Sequence, residues 1–464
     1  MPGRLDDPLL ASRARACAVA LSVPSLLSLL ILAGCAVPTV QRPPEPADLP
    51  AQWSLGPAAE APGGAGAHDP ALAAVQAQAL QANRDIRLAL LRWRAAQQPL
   101  RLSELARAPQ PSLGLNASSS QAMDSPLPAW RSQHGASASL AYEVDLWGRL
   151  AAGVAASQAQ AEAARRDVEV ARLLIRSQVA EAWWQLGNNR LQRALVGPQQ
   201  EAAQAVLEAT RARVREGRLA PIEIDRAASA VQQQELRLAQ LAADDAQALQ
   251  ALALLLDRPQ LRLESEPALP EGAPPALPLA DPARVLERRP DVQRARLAVD
   301  AALARLQVSE AARYPALSFS GGVSTGGSAV LDWLKNPVAS FTGSLVVPLV
   351  DWQRLEVQRE AARSELEVAA LQLRDTVHRA LAEVERLLTE RTRLEQAWLA
   401  QQARLREATQ AERQAQARQQ AGVLAPADAL QARGARLSVE QEGLGLRLQQ
   451  WLNHAALQRA LASE

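Results

Sequence analysis

Four short stretches of the chain alternate apolar and polar residues with a period of two. They cover residues 112–120, 134–143, 316–323 and 338–347. Such alternation places one set of side chains on each face of a β-strand. Lengths of about 9–11 residues also suit a tilted strand that crosses a bilayer. The stretches come as two pairs, so the pattern predicts two β-hairpins with loops at 121–133 and 324–337.

Four strands alone cannot close a barrel, and open sheet edges are not tolerated in lipid. If these strands cross a membrane, several chains must therefore share one barrel. A four-stranded sheet packed on a soluble core is the alternative that the pattern leaves open.

A long helix is predicted after each pair of strands. Pro198 is the only proline from Arg149 to about Gly217, and there is none from Gln353 to Ala421. As one helix, the first stretch would reach roughly 100 Å. Apolar residues in the second recur about every 3.67 positions, a spacing at which neighbouring helices pack almost straight. The seam consists of Leu366, Ala370, Leu373, Val377, Leu381, Val384 and Leu388.

The chain also repeats itself. Residues Gly217–Pro221 return 205 positions later as Gly422–Pro426, and Trp147 corresponds to Trp352 at the same spacing. Each copy has the same predicted order of a helical stretch, two strands, a very long helix, a tight Gly…Pro turn and a second long helix. The sequence therefore indicates two copies of one unit, joined by an extended Pro-rich linker.

The start of the chain reads as an export signal. Arginines precede an apolar run that extends from Ala16 to Leu32, which is typical of a secretory signal. The run ends in Leu32-Ala33-Gly34-Cys35, which resembles a bacterial lipobox, whose cysteine is acylated and becomes the first mature residue. Cleavage would remove Cys17, so the mature protein could form no disulfide. We expect a covalent lipid on Cys35 and no other cofactor.

These observations predict five segments. They are a signal peptide with its lipobox at 1–34, a lipidated N-terminal linker at 35–69, a first repeat at 70–260, a Pro-rich linker at 261–280 and a second repeat at 281–461.

Composition and motifs argue against several other functions. With 50 basic and 49 acidic residues, the chain has no electrostatic footprint for nucleic acid. Its four histidines are scattered without metal-ligand spacing. Residues Gly322–Gly326 match the nucleophile-elbow pattern around Ser324, but that motif needs a helix after it, and Ser324 is predicted to begin an inter-strand loop. We therefore predict no catalytic residues, no metal site and no enzyme activity.

The residues Tyr142–Arg149, Arg289–Val292 and Ala312–Pro315, with the lipobox and the paired Gly…Pro turns, carry a family resemblance. The sequence resembles the TolC-like outer-membrane efflux proteins, in the lipoprotein branch that includes NodT-type factors. The resemblance implies a mainly α, internally duplicated fold with a membrane β-barrel part. Long antiparallel helical hairpins would form an α-barrel, and four strands per chain would contribute to the 12-stranded β-barrel of a homotrimer.

The resemblance also implies a function and a location. The chain would be the outer-membrane channel subunit of a tripartite pump that exports small molecules. Its partners would be two further copies of itself, a periplasmic adaptor (membrane fusion) protein, an inner-membrane RND-type transporter and outer-membrane lipid, with no nucleic acid. It would be lipid-anchored in the outer membrane and extend into the periplasm.

In that family the Gly…Pro turns form a periplasmic tip that closes the channel at rest. A leucine ring there would gate by excluding water, whereas an acidic ring would favour cations. Acids at a helix start are also favoured by the helix dipole, so these acids could serve either as a cation-selective ring or only as helix-start charges. The resemblance assigns to the tip Gly217, Leu219, Glu223, Asp225, Gly422, Leu424 and Asp428.

Three other functions compete with this reading. A periplasmic adaptor lipoprotein would also carry a lipobox and a helical hairpin, but it should have one hairpin rather than two. A type I protein secretion channel would share the fold. A surface hydrolase that uses Ser324 would need a general base beside it, and the sequence indicates no residue for that role.

Overall fold

The structure is a computed structural model that describes most of the chain, apart from the segment containing Cys35 and the lipobox. The described residues are 40–44, 49–54, 69–121, 130–328, 337–348 and 350–462. Their helices and strands are α1 (Pro70–Ala82), α2 (Arg84–Ala106), β1 (Gln110–Ser120), β2 (Arg131–Val144), α3 (Arg149–Arg215), α4 (Ile222–Leu255), α5 (Pro282–Arg288), α6 (Pro290–Ala311), β3 (Ala316–Gly327), β4 (Pro337–Val346), α7 (Trp352–Gln420) and α8 (Pro426–Ala460).

The described chain divides into two compact units. The first, here called the strand unit, contains the described residues of 1–43, 95–161 and 297–371. The second, the helical unit, contains the described residues of 44–94, 162–296 and 372–464. The order of elements is the same in both halves of the sequence, which confirms the predicted duplication.

The strand unit contains one antiparallel sheet in the order β1-β2-β3-β4. Ala138 of β2 lies between Leu113 of β1 and Val323 of β3, and Val323 pairs in turn with Ala339 of β4. Because the order in the sheet follows the order in the chain, β1 and β4 are its edges. Within the described ranges neither edge pairs with another strand.

Strand β3 extends further than predicted. Ser324, which the sequence pattern placed at the start of a loop, lies inside β3 between Ser137 of β2 and Val338 of β4. The prediction ended the strand at Val323 and assigned the Gly-rich stretch after it to a loop, because glycine has a low strand propensity. The neighbouring strands override that propensity, since ladder hydrogen bonds join backbones whatever the side chain. Strand rather than helix follows Ser324, so the nucleophile-elbow reading is wrong.

The long helices agree closely with the prediction. Helix α3 has 67 residues and includes Pro198, and α7 has 69. The predicted seam is buried at Leu366, Leu373, Val377, Val384 and Leu388. Ala370 and Leu381 are only half-buried, and Ala369 and Ala380 take their places. In the part of the chain that the structure describes, no helix has the length and apolar character of a membrane span.

The core of the helical unit is built around tryptophans. Trp183 is fully buried, and Trp184 packs against Trp451 with ring centroids 5.2 Å apart. The indole Nε1 of Trp183 donates to Asp69 Oδ2 at 2.9 Å, while Asp69 Oδ1 accepts from the amide of Ala71 and caps α1. One aspartate therefore satisfies a buried indole and a helix start together.

The Pro-rich segment from 261 to 280 has no regular structure, but it is packed. Leu269 and Leu277 are buried against the helices. Gly187 of α3 lies so close to the backbone of Ala268 and Leu269 that a Cβ atom there would collide with it. The segment predicted as a linker is therefore anchored to the helical unit by its apolar residues.

Candidate functional site

The two faces of the sheet differ in chemistry. Because Cα partners across an antiparallel sheet share a face, the register places most apolar residues on one face and most hydroxyl residues on the other, with Val338 and Thr325 among the exceptions. The apolar face carries Leu113, Leu115, Leu140, Tyr142, Leu317, Phe319, Val323, Phe341 and Leu345. The hydroxyl face carries Ser112, Ser137, Ser139, Ser318, Ser320, Ser324, Ser340, Thr342 and Ser344.

Neither face is covered by other described residues along the edge strands. Strands β1 and β4 are exposed over their whole length, with Leu113 89% and Phe341 78% exposed. An exposed apolar face with two open edges is unstable in water and prone to association. The alternative of a sheet packed on a soluble core therefore does not describe this sheet, which instead fits lipid on one face and further strands at its edges.

Aromatic rings lie near both ends of the apolar band. At the end nearest the helices, Tyr142 pairs with Phe319, whose ring stacks on Phe341 with centroids 6.0 Å apart. Trp130 stands just before β2 at the opposite end and is 69% exposed. Amphipathic rings prefer the interfaces of a bilayer. The girdle is sparse but lies at the levels expected of a membrane strand.

The junction between β2 and α3 is built by the residues that carried the family resemblance. The indole of Trp147 stacks on Tyr314 at 4.7 Å and donates to the carbonyl of Pro315 at 2.7 Å. Asp145 accepts hydrogen bonds from the amides of Leu150 and Ala151 and so caps α3. The strand therefore meets the long helix at a fixed point of the strand unit.

The second repeat builds the same junction with different contacts. Trp352 lies under the guanidinium of Arg313, 4.4 Å from its ring centroid, and Asp351 pairs with Arg354 at 2.9 Å. The tryptophans of both repeats thus rest on two consecutive residues, Arg313 and Tyr314. Spacing alone related the tryptophans to each other; only the fold shows that they converge.

The two Gly…Pro turns have matching hydrogen bonds. Gly217 and Gly422 have φ values of 71° and 73°, a conformation that glycine adopts without strain. In the first turn the amide of Arg218 donates to the carbonyl of Arg213 at 2.8 Å. In the second, the amide of Val423 donates to the carbonyl of Arg418 at 2.9 Å. These 6→1 bonds, which end α3 and α7, lie 205 residues apart.

The acids assigned to the tip have unequal surroundings. Glu223 is half-buried and accepts from Arg226 at 2.8 Å, whereas Asp225 is exposed. Asp428 is half-buried in the first turn of α8. Leu219 and Leu424 are half-buried within their turns. Glu223 lines a groove of about 390 Å³ between the first hairpin and α8, so it is held beside helices rather than in the turn.

Sequence reasoning missed a pair of anchors where the first helical stretch of each repeat is interrupted. Asn83, between α1 and α2, accepts from the amides of Asp85 and Ile86 through Oδ1 and donates through Nδ2 to the carbonyl of Leu255 at 3.0 Å. It is 3% exposed. Arg289, which lies 206 residues further on at the break between α5 and α6, donates through Nη1 to the carbonyl of Ala460 at 2.9 Å. In each repeat, therefore, the residue at the break hydrogen-bonds to the last residue of the repeat's final helix.

Arg289 also holds two carboxylates. It donates to both oxygens of Asp291, at 3.1 and 2.7 Å, and to Glu383 of α7 at 3.0 Å. Burial alone would raise the pKa of Asp291, but the hydrogen bonds and charge of Arg289 overcome it and hold that pKa below its usual range. Asp85 and Asp291 are equivalent in the two repeats, and the residues two positions before them are Asn83 and Arg289. The same offset of 206 would therefore have located both anchors from the sequence.

Comparison with known proteins agrees with this geometry. The family model described as outer membrane efflux protein matches residues 75–258 and again 282–463. The chain is 27% identical over 324 residues to the pyoverdine export outer membrane protein OpmQ of Pseudomonas aeruginosa, which covers 70% of this chain and 68% of that protein. It is 24% identical to nodulation protein T of Rhizobium leguminosarum bv. trifolii, with 94% and 95% covered.

Solved structures share the fold. The structure of CusC aligns with a TM-score of 0.79 at 22% identity, over 92% of this chain and 99% of that one. The open-state structure of the Neisseria gonorrhoeae MtrE outer membrane channel aligns with a TM-score of 0.73 at 24% identity, over 84% and 89%. The predicted fold class, with long helical hairpins in two repeats, is confirmed.

Proposed function

The chain belongs to the outer membrane efflux protein family, and from this membership we propose that three copies share one barrel to form the exit channel of a tripartite pump. The chain is therefore an outer-membrane channel subunit that takes part in efflux. Because the family model covers both halves, a periplasmic adaptor is excluded. The homotrimer, the adaptor and RND-type transporter partners and the small-molecule cargo are proposals.

The observation that supports the trimer is the sheet with two open edges. Its apolar face suits lipid and its hydroxyl face suits a water-filled lumen. Strands β1 and β4 run in opposite directions, so β4 of one copy can continue the antiparallel order at β1 of the next. Three sheets of four strands would then close without an unpaired edge.

Paired cysteines test this closure. We would combine Leu113→Cys on β1 with Ala339→Cys, Phe341→Cys or Gly343→Cys on β4, all on the apolar face. We expect one pairing to give disulfide-linked dimers and trimers after oxidation in the outer membrane, and a trimer mass in detergent. Ala138→Cys with Val323→Cys, which are Cα partners within one chain, is the control; it should form no interchain disulfide and run as a monomer on a denaturing gel, while keeping the trimer mass in detergent. A monomer mass without any interchain crosslink would refute the shared barrel.

We also propose that Cys35 carries the lipid and that the tip is formed by the two turns. The cysteine lies outside the described residues, and the apolar run before it is the support for acylation. Intact-mass measurement should find acyl chains on the wild type and none on Cys35→Ser. A wild-type protein whose mass includes no acyl chain would exclude lipidation.

Gating by the turns is testable by conductance. Leu219→Ser with Leu424→Ser removes apolar side chains without adding charge, whereas Asp225→Asn with Asp428→Asn removes charge alone. A water-excluding gate predicts higher resting conductance in planar bilayers for the leucine variant. An acidic ring predicts weaker cation selectivity for the aspartate variant. Unchanged conductance and selectivity in both variants would remove these residues from the gate.

A further inference from the structure

The helical unit contains an open cavity whose basic residues serve neither the core nor the tip. Its volume is about 500 Å³, and it is bordered by α1, the middle of α3, the junction of α5 with α6 and the residues after α8. The lining residues that matter are Arg172, Arg176, Arg288, Glu169, Leu80 and Leu173.

The arginines of this cavity differ from their neighbours on the same helix. Arg165 pairs with Glu162 and Arg166 pairs with Glu169. In contrast, the side chains of Arg172, Arg176 and Arg288 have no ion pair or hydrogen bond with any residue in the described ranges.

Their placement is unfavourable unless something compensates it. Arg172 and Arg176 are four residues apart on α3, a spacing at which like charges repel. Arg288 adds a third positive charge to the same cavity from α5. An anion bound among them would turn this repulsion into attraction.

The acid in the cavity is already neutralised. Arg166 Nη1 donates to both oxygens of Glu169, at 3.0 and 2.8 Å. Pro290, the first residue of α6, also lines the cavity, so the positive end of that helix dipole lies at its edge. The charge facing the cavity therefore remains positive.

We propose that this cavity binds a phosphate-bearing anion. The planar guanidinium group matches the oxygens of a phosphate in pairs, and several arginines around one cavity suit more than one phosphate oxygen. Leu80 and Leu173 offer apolar surface to whatever the phosphate is attached to. The volume falls in the range of small-molecule sites. A phospholipid headgroup and a soluble phosphate ester share this chemistry.

The test is calorimetric titration of inorganic pyrophosphate into the full-length protein in detergent at constant ionic strength. We expect saturable binding to wild type. The triple variant R172Q/R176Q/R288Q should bind at least about a hundredfold more weakly, because each charged hydrogen bond contributes roughly tenfold. The control R211Q/R363Q/R379Q removes the same charge from exposed positions, each of which forms an ion pair along its own helix, and should bind as wild type does.

A variant that should strengthen pyrophosphate binding distinguishes loss of the site from a folding defect in the triple variant. Glu169→Gln removes the one carboxylate of the lining and frees Arg166, so pyrophosphate should bind several-fold more tightly. Absence of saturable binding to wild type, unchanged affinity in the triple variant, or equal losses in the triple variant and its control would overturn the proposal.

The source of the phosphate can be separated in the same assay. Dihexanoyl phosphatidic acid that binds several-fold more tightly than pyrophosphate would identify a lipid headgroup site. Equal or weaker binding would identify a site for soluble phosphates. Both results support phosphate recognition, and the triple variant should weaken either ligand.

Discussion

The two repeats interrupt their first helical stretch at equivalent positions but hold the interruption by different chemistry. Asn83 uses a neutral amide, which caps α2 and reaches the carbonyl of Leu255. Arg289 reaches the carbonyl of Ala460 with a charge that also binds Asp291 and Glu383. Duplication preserved the place of the anchor and the backbone group that it contacts, but not the residue.

The difference has an energetic consequence. Removing a neutral amide leaves unpaired backbone groups, whereas removing the buried cation of Arg289 also leaves the carboxylate of Asp291 without its ion partner. The second repeat therefore depends more on its anchor than the first. Four predictions follow from the comparison of the repeats, in order of decreasing effect.

Arg289→Ala should have the largest effect. Arg289 is 8% exposed, and its loss leaves Asp291 without an ion pair and Glu383 with Arg459 as its remaining partner, which costs about 3–5 kcal/mol of unfolding free energy. Thermal unfolding followed by circular dichroism in detergent measures this. Arg393→Ala removes a doubly hydrogen-bonded but exposed pair with Glu390 and should change little. Equal losses in the two variants would contradict the role of burial.

Acid should weaken the second repeat through His454. Burial, and then the charge of Arg391, lower the pKa of His454 from 6.5 to about 4. The unfolded chain takes up a proton below about pH 6.5 and the folded chain only near pH 4, so stability is complete above 6.5 and is lost as pH falls toward 4, by about 3 kcal/mol. Arg391 and Glu395 line the same small cavity as His454. The residue 205 positions earlier is Leu249, which cannot titrate.

Hydrogen exchange at pH 7 and pH 4.5, corrected for intrinsic rates, compares the two repeats directly. Protection around 450–457 should fall more than protection around 245–252. In His454→Leu the two segments should respond alike. A drop around 450–457 that persists in His454→Leu would assign the acid response to other groups.

Asn83→Ala should cost less than the loss of Arg289, about 1–2 kcal/mol. The change removes a helix cap and leaves the Leu255 carbonyl without its donor. Asn83→Ser keeps a cap acceptor and adds no charge, but its side chain is too short to reach the Leu255 carbonyl, so it separates the two contributions. Thermal unfolding in the same detergent gives both values. An Asn83→Ala effect as large as that of Arg289→Ala would mean that charge does not set the difference.

The turn glycines should show that the repeats are equal where their backbones are equal. Gly217→Ala and Gly422→Ala should each cost about 1 kcal/mol, because a Cβ atom meets nothing within 4 Å and only the positive φ opposes it. The double variant should show the sum, since the turns make separate contacts. Gly153→Ala, inside α3 with equally open space, should stabilise slightly. Unequal turn effects in the unfolding assay would reveal contacts particular to one turn.

Local pattern predicted the elements of both units well but not all of their bounds. The strands, the long helices and the turns follow from short-range physics, namely side-chain alternation, the absence of proline and the conformational freedom of glycine. The pattern failed at Ser324, where the pairing of β3 with its neighbours extended a strand through glycines. It also failed at Ala370 and Leu381, because a seam read from apolar type cannot decide which of two adjacent residues faces a partner helix.

The sequence by itself determined the duplication, the apolar and hydroxyl faces of the strands and the glycine turns, because each is written in residues close together in the chain or in a constant offset. The tertiary structure alone decided which distant groups meet. It placed Trp147 and Trp352 on the neighbouring residues Tyr314 and Arg313. It joined Arg289 to Glu383 and left Arg172, Arg176 and Arg288 around one cavity. Such contacts depend on how helices far apart in sequence pack together, and no local pattern of apolar and polar residues encodes that choice.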